Sequence, residues 1–364
     1  MRDPESTNIF FHRELTYTEQ SVWKAHYQWL REQGYQLRER YSPDWKPTWT
    51  ERHTEVKDDE PLSEEVMNRF GLPLLSQVVD AIRISDGRQV VIKRVNTPSA
   101  PTELELTAYF SPYGYGYDLR GKRQYNLDPS DADCARIKSD PRNHCPELLD
   151  VLYPPQEMSN DEPNGNVNAN ADPKASPKAD PSADPNDDPE LIFLVFPLYR
   201  KALSPRFDTI GEIVDFCRQL FEAVEFLHEH GVAHRDIHIN NIMYDPSPMF
   251  PEPYHPVAPF RTLTGHHIKY HTRTVAPPTY ILIDLGHGVH RSGAAPGMPL
   301  LTPKFTRPAD KSVPELVYSS EEERVMEEGS EEERLELYKK VVDPFMTDVY
   351  CVGNVIRQVV DEVS

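Results

Sequence analysis

Large apolar residues near the start of the chain recur at the spacing of one helix face. Between Thr18 and Leu37 the steps of three and four residues relate Val22, Trp23, His26, Trp29 and Leu30. A proline-containing strap follows, and proline excludes regular helix. We expect the helix and the strap to dock their aromatic side chains on a larger body. A separate recognition module is the alternative.

Continuous and alternating apolar runs then predict a strand-rich region. The predicted elements are strands at 77–84 and 88–95, a helix at 102–110, and strands at 147–153 and 191–199. Ser85, Asp86 and Gly87 join the first two strands as a hairpin turn. The segment at about 157–190 is mostly Pro, Asn, Asp and Ala, which predicts a disordered insert.

A long amphipathic helix is predicted after Asp208, ending near Gly231. Its apolar stripe is Ile210, Ile213, Val214, Cys217, Leu220, Phe221, Val224 and Leu227. Strand-rich sequence therefore precedes helix-rich sequence. This order predicts an α+β fold with two lobes, the first rich in strands and the second helical.

Composition and charge limit the classes of partner that this chain is expected to bind. The 364 residues carry a formal net charge of −20, which disfavours nucleic acid because phosphate binding needs a basic surface. The sequence contains no apolar run long enough for a membrane span and no secretory signal. Four scattered cysteines indicate reduced thiols. These features predict a cytoplasmic or nuclear protein.

Candidate chemistry begins with "AHRDIHINNIMYD", residues 233–245, where polar side chains interrupt an apolar frame. Five further motifs occur in order around it: Lys93 in "VVIK", Glu103 opening the next helix, Asp284 in "DLG", Glu315 in "SVPE" and Asp348 in "DVY". Together they resemble the eukaryotic protein kinase superfamily, over roughly residues 70 to 364. The resemblance implies a bilobal kinase-like fold.

Within that superfamily the chain looks most like the kinase-like proteins of mushroom-forming (basidiomycete) fungi. Shared features are the tryptophan-rich start, "SDPRNHC" at Ser139–Cys145, and the "DPF-x-TD" lead at Asp343–Asp348. The domains implied are an extension at 1–65, a first lobe at 66–200 and a second lobe at 201–364.

The resemblance implies a role for each catalytic side chain. Asp284 and Asn241 would hold Mg²⁺, which prefers hard oxygen ligands. Asp236 would accept or orient the proton of the acceptor hydroxyl, and Lys93 would neutralise the α- and β-phosphates of ATP.

Structural support is implied for Glu103, His234, Arg235, Glu315 and Asp348. Glu103 would pair with Lys93, although Glu105 competes for that role; two residues apart on a helix they point to different faces. Asp348 would brace the catalytic loop, and His234 would pack and hydrogen-bond it. Arg235 would pair with a phosphorylated segment or form a local salt bridge.

The implied nucleotide contacts are Gly71, Val78, Val91, Lys93, Phe196, Pro197 and Tyr199. Phe196 falls at the gatekeeper position, and Pro197 to Tyr199 would form the hinge beside adenine. Because Pro197 lacks an N–H, adenine must use its carbonyl and a later amide.

The chain departs from the kinase pattern at several positions. Only Gly71 survives of the glycine-rich loop, where Pro73 and Ser76 replace the other two glycines, so the grip on phosphate should be weaker. His238 stands where protein kinases usually carry lysine, and a histidine at this position is similar to the pattern of small-molecule phosphotransferases. Leu285 replaces phenylalanine.

Insertions lie at about 246–279 and 317–342, the second predicted to be a charged helix. The family's final helices have no counterpart before Ser364. We therefore expect an ATP- and Mg²⁺-dependent kinase acting on Ser or Thr of a protein substrate, with basic sequences as one option. A pseudokinase or scaffold is the alternative, and a small-molecule phosphotransferase is the third.

Overall fold

The structure is a computed structural model. It describes residues 22–45, 61–62, 67, 77–96, 101–111, 136–137, 139–155, 191–291, 301–303, 313–317, 319–338 and 340–362. The predicted insert at 157–190 and the glycine-loop positions Gly71, Pro73 and Ser76 lie outside these ranges.

The first described segment contributes both a helix and a strand. Helix α1 (Tyr27–Glu32) ends earlier than the periodicity predicts, because Gly34 at φ 93° turns the chain into strand β1 (Tyr35–Leu37). Trp23 is buried, with its ring 5.6 Å from that of Phe193. The predicted docking of aromatics on a larger body is confirmed for this segment.

An antiparallel sheet of five strands forms that body, in the order β1-β2-β3-β5-β4. The remaining strands are β2 (Val78–Arg83), β3 (Gln89–Asn96), β4 (Asp150–Leu152) and β5 (Leu191–Pro197). The predicted hairpin between β2 and β3 is confirmed, with Gly87 in its turn at φ 72°.

The two faces of the sheet bury different partners. One face packs against α1, through residues such as Val79 and Ile92. Helix α2 (Pro101–Phe110) packs Leu104 and Ala108 against the apolar face that carries Leu194. Since Leu194 lies opposite Lys93 on the neighbouring strand, α2 covers the side of the sheet that carries this lysine.

The helical part of the chain is built from helices and short strand pairs. They are β6 (Arg200–Lys201), α3 (Ile210–Glu229), β7 (Val232–Ala233), β8 (Ile242–Tyr244), β11 (Tyr280–Leu282), β12 (Val289–His290) and α6 (Pro344–Asp361). Strands β6, β8 and β11 form one small antiparallel sheet, and β7 pairs with β12.

The predicted apolar stripe of α3 is wrong at three positions. Ile210, Val214 and Phe221 are 77%, 62% and 56% exposed. The buried face instead includes Phe216 and Ala223, which the sequence pattern did not select. Apolar residues occur on more than one side of this helix, so periodicity alone could not choose the buried side.

Both predicted insertions contain regular structure. The first carries the strand pair β9 (Tyr254–His255) and β10 (Ala258–Thr262). The predicted charged helix is two helices, α4 (Ser320–Glu328) and α5 (Glu331–Tyr338). In the chain, these helices lie between β13 (Thr302–Pro303) and β14 (Val341–Val342), which pair with each other at Thr302 and Val342. None of the described helices could cross a membrane.

Candidate functional site

Lys93 links the sheet to two carboxylates from other parts of the chain. Its Nζ donates to Glu103 Oε1 on α2, and to Asp284 Oδ1, just after β11, at 2.9 Å. Glu105 is exposed to solvent, so the geometry selects Glu103 of the two predicted partners. The lysine side chain is only 17% exposed.

The charges of this cluster depend on one another. Burial lowers the pKa of Lys93, but Glu103 and Asp284 outweigh it and raise the pKa overall. Burial raises the pKa of Asp284, yet Lys93 brings it below its usual value. For Glu103, burial dominates and its pKa is raised. Lysine and Asp284 therefore stay charged at neutral pH.

Asp348, in α6, holds the segment 234–236 from beneath. Its carboxylate is fully buried and accepts hydrogen bonds from the backbone N–H of His234 at 2.8 Å and of Arg235 at 2.7 Å. His228 Nε2, at the end of α3, lies 2.9 Å from the same carboxylate. Sequence reasoning missed His228, which belongs to no kinase motif.

Two site residues adopt a backbone conformation that L-amino acids disfavour. Among the described residues, only Arg235 at φ 67° and Asp284 at φ 70° are non-glycine residues with positive φ. Such strain persists when neighbouring contacts fix the chain, as Asp348 does at Arg235. The Arg235 guanidinium lies 3.4 Å from the carbonyl of His287.

His234 is fixed in one tautomer. Its Nδ1 accepts from the backbone N–H of Asp236 at 3.2 Å, so its Nε2 carries the proton and donates to the carbonyl of Ile283 at 3.0 Å. Burial lowers the pKa of this imidazole, which keeps it neutral. Its hydrogen bonds join the two segments that bear Asp236 and Asp284.

The two carboxylate oxygens of Asp236 differ in their hydrogen bonding. Its Oδ2 accepts from Asn241 Nδ2 at 2.9 Å and lies 3.6 Å from His238 Nε2. Oδ1 is buried and has no hydrogen-bond partner in the described part of the chain. Burial raises the pKa of Asp236, but the hydrogen bond and charge of His238 bring it below its ordinary value. Oδ1 thus keeps an unused capacity to accept a hydrogen bond, although the folded chain covers it.

Asn241 and Asp284 come together because β8 and β11 pair antiparallel. Asn241 precedes β8 and Asp284 lies two residues beyond β11, with Ile283 N donating to the carbonyl of Asn241 at 2.9 Å. The Asn241 amide nitrogen points to Asp236, which leaves its amide oxygen for a cation.

Two oxygen donors suit Mg²⁺, which commonly takes one or two protein ligands and completes its shell with phosphate and water. The described residues contain no cluster of three or more acidic, histidine or cysteine side chains that could hold a metal alone. A metal bound here would therefore need ligands from a phosphate or water.

The predicted base contacts share the lysine face of the sheet. Val78 lies opposite Lys93, and Val91 lies opposite Phe196; all three apolar side chains are half-buried. The predicted hinge differs from expectation, because Tyr199 N donates to the carbonyl of Pro197 at 2.9 Å. The amide expected to read adenine is thus already paired.

The other predicted positions add little to the site. Gly71 lies outside the described residues, and Glu315 belongs to the 3-10 helix Pro314–Leu316, where its side chain is not described. Thr302, in the segment between Asp284 and Glu315, is buried.

The element "SDPRNHC" connects the sheet to the helical part. His144 Nδ1 lies 2.7 Å from the carbonyl of Tyr280, and the carbonyl of His144 accepts from Leu282 N at 2.8 Å. Asn143 Nδ2 donates to the carbonyl of Phe110, at the end of α2, at 3.0 Å. This element therefore helps to fix α2 and β11, which carry Glu103 and lead to Asp284.

Sequence comparison relates this chain to no known family. No protein-family model and no curated protein matches it. Among solved structures, the crystal structure of a Plasmodium kinase domain matches with a TM-score of 0.31 at 15% identity, covering 60% of this chain and 49% of that chain. The match thus spans about half of that chain's length.

Proposed function

We propose that this chain is an ATP- and Mg²⁺-dependent protein kinase with a bilobal kinase-like fold. It would transfer the γ-phosphate of ATP to Ser or Thr hydroxyls of a protein substrate. The observation that carries the proposal is the contact of Lys93 with both Glu103 and Asp284. Phosphoryl transfer in kinases needs this lysine–glutamate pair and a metal-binding aspartate in place together.

Each side chain has a chemical task in the proposed reaction. Lys93 neutralises phosphate charge, and Asp284 and Asn241 supply oxygen ligands for Mg²⁺, which neutralises the triphosphate when bound. Asn241 fixes Asp236 through its Oδ2, so the Asp236 carboxylate is positioned to orient the acceptor hydroxyl and take its proton. The pKa of Asp236 is lowered, which keeps this carboxylate negatively charged and able to accept a hydrogen bond from the hydroxyl.

A pseudokinase or scaffold is the second candidate. The pairing of Tyr199 N with Pro197 O favours it, because that amide would otherwise bind adenine. The degenerate glycine loop in the sequence favours it as well. Under either candidate, we propose a cytoplasmic or nuclear protein with a protein partner of basic or unknown sequence.

Transfer of labelled phosphate from ATP to a mixed protein substrate tests the proposal. Asp236→Asn and Lys93→Met should each lower the rate by at least about 100-fold, since each removes a group used in the transition state. Thermal shift with ATP and Mg²⁺ reports binding separately. The proposal fails if the natural protein transfers no label, or if both variants transfer label as fast as the natural protein. Binding without transfer would favour the scaffold.

A further inference from the structure

The two-residue connection between β5 and β6, Leu198 and Tyr199, has both of its backbone N–H groups paired within the protein, and Pro197 precedes it. Leu198 N donates to the carbonyl of Gln89 at 3.2 Å, and Tyr199 N donates to that of Pro197 at 2.9 Å. Proline has no N–H. Every backbone donor of this connection is therefore engaged within the protein. The carbonyl of Tyr199 also accepts the hydroxyl of Tyr254 at 3.1 Å.

The surroundings hold this connection in place. The hydroxyl oxygen of Tyr199 accepts from Glu147 N at 3.0 Å, which anchors its side chain. Next along the chain, the guanidinium of Arg200 lies over the rings of Phe250, Tyr254 and Phe260, at 4.2, 4.9 and 4.9 Å. Buried cation–π contacts are worth up to about 2 kcal/mol each. Opening the paired turn would disturb this cluster.

A base placed beside the connection would meet an acceptor and no backbone donor. The carbonyl oxygen of Pro197 has a second lone pair, which can accept one hydrogen bond. Adenine offers its amino N–H to such an acceptor, and guanine offers its N1–H or amino N–H. Adenine N1, which needs a donor, gains nothing here. The half-buried side chains of Val78, Val91 and Phe196 offer the base apolar contacts, which are non-directional and do not distinguish adenine from guanine.

We propose that the site binds purine nucleoside triphosphates without discriminating adenine from guanine. The inference rests on the proposed function, because it places the triphosphate at Lys93 and Asp284. Strong discrimination comes from a site whose donors and acceptors go unpaired with the wrong ligand. Here the donor is satisfied by the protein whichever base is bound.

Calorimetric titration of the full chain with ATP and with GTP, each with Mg²⁺, tests the inference. The two dissociation constants should agree within about threefold, a difference under about 1 kcal/mol. ATP binding more than about tenfold tighter than GTP would overturn the inference and leave the proposed function standing. Failure of both nucleotides to bind would overturn both.

Tyr254→Phe tests the cause, since it removes the hydroxyl that holds the Tyr199 carbonyl. The freed turn can offer Tyr199 N to adenine, so preference for ATP over GTP should rise by about threefold or more. Tyr270→Phe, in the same insertion at a residue 42% exposed, is the matched control and should leave the ratio unchanged. Thermal melts check that both variants fold. An unchanged ratio in Tyr254→Phe would contradict the assigned role of the turn.

Discussion

The proposed nucleotide site has two ends, a phosphate end around Lys93, Asp236 and Asp284 and a base end at Leu198 and Tyr199. These two ends use their polar groups in opposite ways. At the phosphate end, Asp236 Oδ1 is buried without a hydrogen-bond partner in the described chain. At the base end, the N–H groups of Leu198 and Tyr199 are paired within the protein. Because an unpaired buried polar atom costs free energy, it is expected where a ligand supplies the partner. The phosphate end thus keeps an unused acceptor, whereas the base end uses its donors within the protein.

The support beneath the two ends differs as well. The phosphate end rests on buried charge, since Asp348 accepts from two backbone N–H groups and contacts His228. The base end rests on aromatic rings around Arg200, contributed by the insertion. The first arrangement is expected to respond to loss of charge, and the second to loss of a ring or hydroxyl.

Asp348→Ala should have the largest effect of these variants on the unfolding free energy, through the phosphate end. It leaves the buried N–H groups of His234 and Arg235 without an acceptor, which should cost about 3–5 kcal/mol of unfolding free energy. Urea denaturation measures the loss. Asp361→Ala, at the exposed end of the same helix, is the control and should change stability by less than about 0.5 kcal/mol. Equal losses in the two variants would contradict the bracing role.

Glu103→Gln should lower phosphate transfer by roughly ten- to hundredfold, because it removes the charged partner of Lys93, worth about 1.5–3 kcal/mol. Glu105→Gln changes the same side chain two residues away, where it is exposed, and should leave the rate near that of the natural protein. Initial rates with labelled ATP distinguish them. A greater loss in Glu105→Gln would mean that the wrong glutamate was chosen.

His234 gives the phosphate end a pH dependence. Its pKa is lowered in the folded protein, so between the folded value and about 6.5 the unfolded chain binds the extra proton. Stability should therefore fall as pH drops below about 6.5, by at most about 1.4 kcal/mol per pH unit from this group. Urea midpoints at pH 7.5 and 5.5 measure it. His234→Gln should show a shallower fall; an identical fall would exclude His234 as the source.

Tyr254→Phe, at the base end, should have the smallest effect of these variants on the unfolding free energy. Loss of the hydrogen bond to the Tyr199 carbonyl should cost about 1 kcal/mol of unfolding free energy, with the ring contact to Arg200 retained. Thermal denaturation against the Tyr270→Phe control measures it. No difference between the two variants would show that the hydroxyl contributes nothing to stability.

The phosphate end could be predicted from sequence, and the base end could not. Lys93, Asp236 and Asp284 lie in short ordered motifs, and each motif keeps its residue types together. The contact between Tyr199 and Tyr254 joins residues far apart in the chain, and neither has a local pattern that marks it. The turn that pairs Tyr199 N with the carbonyl of Pro197 lies inside the run 191–199, which the sequence predicts as one strand.

The fold divides similarly. The β2–β3 hairpin was predictable because a local turn signal separates two strand-like runs. Strand β1 was missed because its three residues continue the helical apolar spacing before them. The buried face of α3 was misassigned because Val214 and Phe221 are apolar and yet exposed. Local patterns thus predicted the element, and packing decided its end and its buried side.

The central claim is that Lys93, Asn241 and Asp284 grip one metal-bound nucleotide. Calorimetric titration with ATP, with and without Mg²⁺, tests it most directly in the natural protein and in Asp284→Asn. We predict that Mg²⁺ tightens ATP binding by about tenfold or more in the natural protein, and that Asp284→Asn abolishes this gain. ATP binding that ignores Mg²⁺, or a gain that survives in Asp284→Asn, would contradict the account.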